Sequence, residues 1–201
     1  MRASDLLKIE LIFSVCGAVA STLFVALVSR SVDSEFWFIT GTKYRIPRLT
    51  YWAGFGLLLT LGILVGYFTS ILVGWLTNLG RSAIPRQILA ALIFAGSFPL
   101  GYIASIVLIE VLDPMLDYIL AWVVIVVVIS CGLWLFTGKW KASLSIFLFL
   151  ALPLSYFFTI TAYKLFNLSA FAYDISQMGF LGSLLCGICG YWFTISMNRR
   201  S

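Results

Sequence analysis

Cys186-Gly-Ile-Cys189 is the stretch of this chain whose residue types and spacing match a recognisable piece of chemistry, the redox thiol pair of thioredoxin-like and quinone-linked proteins. Such a pair works where a basic neighbour favours the thiolate and where solvent or a cofactor can reach it. These two cysteines fall in the middle of an apolar run with no basic residue beside them. Thiols in that setting act as small packing residues. The chemical alternatives are disulfide exchange, or a soft metal shared with Cys16 or Cys131. Packing is the expected role, and neither a metal nor another cofactor is expected.

The acids offer a second chemistry. Glu110, Asp113 and Asp117 are spaced i, i+3, i+7, with Pro114 breaking the helix between them. Carboxylate oxygens in such a group suit a hard cation; the plainer expectation is ion pairing with Lys43, Arg45 or Arg48. Glu110 lies just inside an apolar boundary, where an ionisable group is costly and often functional. The chain has no histidine, which removes the commonest general base and metal ligand. Rhomboid-like proteolysis and histidine metal sites are thereby excluded, no pair of deep carboxylates remains for a catalytic metal, and an enzyme is not expected.

A third possibility is solute binding. Pro99 and Pro153 sit near the middle of apolar segments, where each removes a backbone hydrogen bond and crowds the carbonyl four residues earlier, at Ala95 and Phe149. Freed carbonyls at kinked helices line the binding sites of many transporters. Tyr102 and Tyr156 follow their prolines by three residues and would bring hydroxyls one turn further along; otherwise the prolines only shape the bundle. Ser97-Phe-Pro-Leu-Gly-Tyr102 and Ala151-Leu-Pro-Leu-Ser-Tyr156 match in pattern, which hints at two related hairpins. Asn167-Leu-Ser169 has the form of a glycosylation acceptor but sits in a short loop, and carries no weight.

These residues must be positioned by membrane helices. Hydrophobic residues make up 62% of the chain and charged residues 10%, far from the roughly 45–50% and 25% of soluble domains. Apolar segments at 11–29, 51–77, 88–112, 118–137, 142–166 and 178–197 each approach or exceed the roughly 20 residues that a bilayer crossing needs. The expected fold is all-α, a single polytopic bundle of six spans. Met1 to Glu10 mixes Asp5 and Glu10 with Arg2 and Lys8, unlike the basic leader of a signal peptide, so the first segment is expected to be a retained span.

Lysine and arginine set the expected orientation. With both termini cytoplasmic, the inner face holds eight basic residues against two acidic ones, and the outer face five against six. The loop from Arg30 to Arg48 places four basic residues outside and is expected to fold over the Glu110, Asp113 and Asp117 group. Trp52 and Trp122 fall near the outer interface, and Trp75, Trp134, Trp140 and Trp192 near the inner one.

Helices in lipid associate through small residues four apart. Gly62, Gly66, Ser70 and Gly74 form such a ridge on the second segment, Ser14, Ala18, Thr22 and Ala26 one on the first, and Ser97, Gly101 and Ser105 one on the third. The last segment has two, Gly179/Ser183/Gly187 and Gly182/Cys186/Gly190, while the fourth has none and is expected to face lipid. Packing inside one bundle is the expected use; a dimer interface is the alternative. In outline, six short-looped helices with both ends inside resemble the substrate-binding subunits of vitamin transporters, with no motif shared.

The expected partners are membrane lipid, a small-molecule ligand, and other membrane subunits or a second copy; nucleic acid is not among them. The expected function is to bind or pass a small solute, alone or as the membrane subunit of a transport system in the plasma or inner membrane. The alternatives are a structural subunit of a larger membrane complex and a thiol redox protein using Cys186 and Cys189.

Overall fold

The computed structural model describes residues 3–31, 48–74, 84–108, 114–137, 140, 142–167 and 169–198. They form six α-helices: α1 (Ala3–Ser31), α2 (Arg48–Leu72), α3 (Ile84–Leu108), α4 (Pro114–Thr137), α5 (Ala142–Phe166) and α6 (Ala170–Asn198). Four of them, α1, α2, α5 and α6, are long and apolar enough to cross a membrane. In α3 and α4 the apolar stretches of described side chains run over Ile88–Ala104 and Ile119–Leu135. A bundle so apolar on both its inside and its outside is that of a membrane protein.

Two of the helix ends that differ from the apolar segments have a visible local reason. α2 stops at Leu72 because Gly74 adopts a left-handed conformation (φ 77°), with the Gly74 N–H bonded to the Ile71 carbonyl. Gly74 therefore terminates the helix and stands exposed beyond it, apart from the ridge formed by Gly62, Gly66 and Ser70. α6 begins eight residues before the apolar segment. Asn167, at φ 52°, closes the end of α5, and the Ser169 hydroxyl then accepts the Ala172 N–H as an N-cap. The Asn167-Leu-Ser169 triplet is thus the pair of caps on the α5–α6 turn.

Adjacent helices run antiparallel, and α1 closes against α6. Their contact is the most extensive in the bundle and is made by backbone meeting backbone. A Cβ on Gly17 would strike the Gly182 carbonyl oxygen, and one on Gly182 would strike Ser21 and stand 2.5 Å from the Gly17 oxygen. Gly187 faces Ser14, and Gly190 faces the Phe13 ring. On the other side of α1, Gly62 packs against Cys16 and Ala20, and Gly66 against Phe13. In place of a hydrophobic drive that lipid cannot supply, this close approach holds the helices.

Four buried hydroxyls at the helix contacts are satisfied within their own helices. Ser21 donates to Gly17 O, Thr60 to Gly56 O, Ser70 to Gly66 O and Thr194 to Gly190 O, each at 2.8 Å. A glycine followed four residues later by Ser or Thr thus presents a smooth face with no free donor. Thr60 Oγ1 also lies 3.2 Å from Ala91 O on α3.

α4 departs from the expectation that it faces lipid. It buries Trp122, Ile125, Val126, Ile129 and Leu133, because Gly101 of α3 admits Ile125 and Ala121 while its own Gly132 admits Ile93. The helix most open to the surroundings is α5, on which Phe147, Phe157, Leu165 and Phe166 are each more than half exposed.

Both prolines lie inside continuous helices, and the carbonyls they free face neighbouring helices. Ala95 O lies against Gly56 of α2, where a Cβ would come within 2.6 Å. Phe149 O accepts the indole N–H of Trp122 on α4 at 2.9 Å. Trp122→Phe removes that donor and leaves a carbonyl unmet in apolar surroundings, at about 1–2 kcal/mol. The expected result is faster amide hydrogen exchange along α5 with α1 and α6 unchanged; unchanged exchange in α5 would show that this bond does not hold it.

Candidate functional site

Two buried polar side chains stand in the first turns of α6. Because the Ser169 cap starts the helix early, Asp174 and Gln177 fall on one face with Met178, Leu181 and Leu185, all of them buried. Asp174 is 4% exposed and Gln177 2%. Among the described residues neither side chain receives a hydrogen bond or an ion pair. Asp174 stands past the first turn, where the partial charge of the helix terminus has largely faded. An unmet buried polar group costs about 1–3 kcal/mol, and a carboxylate more.

The surroundings are aromatic. Tyr173, half-buried beside Asp174, meets Tyr163 of α5 edge to face at 5.5 Å between ring centroids, and its hydroxyl approaches that of Tyr156. Gly179 sits beside Thr22 of α1, which places Phe24 level with Gln177 and Met178. Phe24 packs on Phe55 at 5.5 Å, Phe55 on Phe98 at 5.1 Å, and Trp52 stacks on Phe98 at 6.2 Å. Below the two polar side chains the bundle is thus closed by a cluster of rings from α1, α2 and α3.

The residues singled out in the sequence are placed as follows. Tyr102 is half-buried on α3 and Tyr156 exposed on α5; among the described residues these two helices do not touch. The carbonyl freed by Pro153 accepts the Trp122 indole N–H, and that freed by Pro99 is packed against Gly56 of α2. Glu110, Asp113, Lys43 and Arg45 lie outside the described residues, as do the side chains of Asp117 and Arg48, so the expected pairing between them falls there too. Cys186 and Cys189 are buried as free thiols, with Gly17 packed against Cys186 and the Cys186 sulfur 3.9 Å from Leu59 O. Among the described residues no three Cys, Asp or Glu side chains converge as a metal would require. Among the described residues the buried hydroxyls of Tyr67 on α2 and Ser130 on α4 have no partner.

Asp174 and Gln177 were readable in principle. Positions 174, 177, 178, 181 and 185 share the spacing of one helix face, and extending the apolar face of the last segment back through Ser169 would have turned both side chains inward. Compared with known families, with curated proteins and with solved structures, the chain matches none.

Proposed function

We propose that this is a six-span, non-enzymatic membrane protein, with both termini cytoplasmic, that binds or passes a small solute at Asp174 and Gln177. The observation that carries the reading is a carboxyl and an amide on one face of a membrane helix, both buried, with no hydrogen bond or ion pair to either from the described residues. An ionisable group in that position is expensive, and proteins keep such groups where they act. The excess of lysine and arginine at the opposite end supports an orientation in which α6 begins on the outer side of a plasma or inner membrane. Asp174 then lies about 14 Å from the middle of its span, near the outer edge of the hydrocarbon, where a solute can arrive from water.

A second reading is that of a subunit in a larger membrane complex or transport assembly, and the open aromatic face of α5 favours it. One experiment separates the two. Native mass spectrometry of the detergent-purified protein is expected to show a bound small molecule that disappears in Asp174→Leu. That variant should also unfold about 1–3 kcal/mol later than the parent, since it removes an unmet buried group. A stoichiometric partner chain with no small molecule supports the assembly reading, and a less stable Asp174→Leu means that the carboxyl is a structural group.

A further inference from the structure

We infer that the end of the bundle where α4 finishes and α5 begins, around Trp140, is a docking surface for anionic phospholipid headgroups. It is the end away from Asp174 and does not depend on the solute-binding reading. The charge of the chain is sorted between the two ends by the helix order. At this end α1, α3 and α5 begin and α2, α4 and α6 finish. Arg81 falls between α2 and α3, Arg86 in the first turn of α3, Lys139 and Lys141 on either side of Trp140, and Arg199 and Arg200 after α6. The acids belong elsewhere. Asp33 and Glu35 follow α1, Glu110 and Asp113 follow α3, and Asp117 and Asp174 stand in the first turns of α4 and α6, all at the far end. Asp5 and Glu10 share this end, but they are on α1 beside Arg2 and Lys8. Among the described residues α1 packs on α2 and α6 and touches neither α4 nor α5.

Helix packing gathers this charge along one edge. Ile93 of α3 fits against Gly132 of α4. Arg86 precedes Ile93 by seven residues and Lys139 follows Gly132 by seven, so the two antiparallel helices deliver basic residues to the same end. Only four residues join α4, which ends at Thr137, to α5, which begins at Ala142. That connection is too short to carry Lys139 and Lys141 away from the bilayer surface. Trp134, Leu135 and Trp140 are exposed at the same end, and indole rings settle at the level of the headgroups. Cations and indoles therefore share one depth: the cations meet phosphate oxygens, and the rings and Leu135 meet the upper acyl chains. Each basic residue beside an anionic leaflet favours the contact about fivefold, whereas a zwitterionic headgroup has no net charge to offer. An acidic soluble protein or a nucleic acid would have to descend to the bilayer to reach so short a connection. Lipid is the occupant that the fold favours.

The test uses the full chain in detergent with dioleoyl phosphatidylglycerol, dioleoyl phosphatidylcholine and sodium glycerol phosphate as probes. Native mass spectrometry and thermal unfolding read the outcome. Phosphatidylglycerol is expected to be retained about tenfold better than phosphatidylcholine and to raise the unfolding midpoint, and glycerol phosphate is not. Lys139→Gln together with Lys141→Gln should cut that preference about tenfold or more, two charges at about fivefold each. Lys139→Arg with Lys141→Arg keeps both charges and should keep the preference. Lys43→Gln with Arg45→Gln makes the same change in net charge at the far end and should leave the preference as in the parent. An equal fall in the two glutamine double variants is an effect of net charge and overturns the site, as does equal retention of the two lipids by the parent. Stabilisation by glycerol phosphate to the same extent as by phosphatidylglycerol assigns the surface to a free anion and overturns the lipid. The comparison of probes on the parent protein decides between lipid and free anion even if a variant does not fold.

Discussion

Gly182→Val is expected to cost about 3 kcal/mol or more, the upper end of what overpacking a close contact does. The reason is that little on the opposing surface can yield. A Cβ at position 182 meets the Ser21 hydroxyl, which is held by its bond to Gly17 O, and stands 2.5 Å from that same backbone oxygen. Relief requires α1 to move off α6, which also withdraws Gly187 from Ser14 and Gly190 from Phe13. Gly96→Ala supplies the contrast within one helix bundle. A Cβ there meets nothing within 4 Å, so alanine should be neutral or stabilise by up to about 1 kcal/mol through helix propensity. Thermal unfolding in detergent reads both variants. Equal midpoints for Gly182→Val and Gly96→Ala would mean that the α1–α6 contact contributes nothing to stability.

Phe13→Ala should be the most damaging truncation on α1, at about 2 kcal/mol. Phe13 is 1% exposed, and its ring fills the hole made by Gly66 on α2 and Gly190 on α6, with Phe193 at 6.4 Å. In water much of such a loss is transfer free energy. In lipid the separated helix is already in apolar surroundings, so the cavity remains as the main cost. Removing about 100 Å³ of ring at about 24 cal/mol per Å³ gives the figure stated. Leu23 on the same helix is half exposed, and Leu23→Ala should change the midpoint little. The ordering of these two variants in the same unfolding assay is the check: a Leu23→Ala loss as large as that of Phe13→Ala would place the packing surface of α1 on its other face.

The helical elements were legible because a run of apolar residues longer than any core strand leaves few alternatives to a helix, as at 142–166. The ridges were legible too, since Gly62, Gly66, Gly182 and Gly190 are too small to be covering lipid-facing surface economically. What escaped was information that one helix holds about another. α4 carries no small-residue ridge of its own, and it packs because α3 lends it Gly101. Gly74 has the spacing of a ridge residue, yet the chain turns there. At the candidate site, Asp174, Ser176 and Gln177 interrupt the apolar run, so the apolar segment begins at Met178. The cap at Ser169, a single hydroxyl to one N–H, decided otherwise. The role of Pro153 depended on where Trp122 of a different helix would reach, which spacing along one chain does not encode.

The pairing of the first helix with the last has a consequence for how the protein is made. About 140 residues separate the end of α1 from the start of α6, and at about 5–20 residues per second the ribosome needs roughly ten to thirty seconds to supply them. During that interval α2 can already seat Gly62 and Gly66 on α1, but the face around Gly17 stays bare in the bilayer. Commitment to the native arrangement therefore comes only after α6 has been synthesised, and a nascent chain stalled before it presents a small-residue surface open to whatever membrane chaperone or protease samples it.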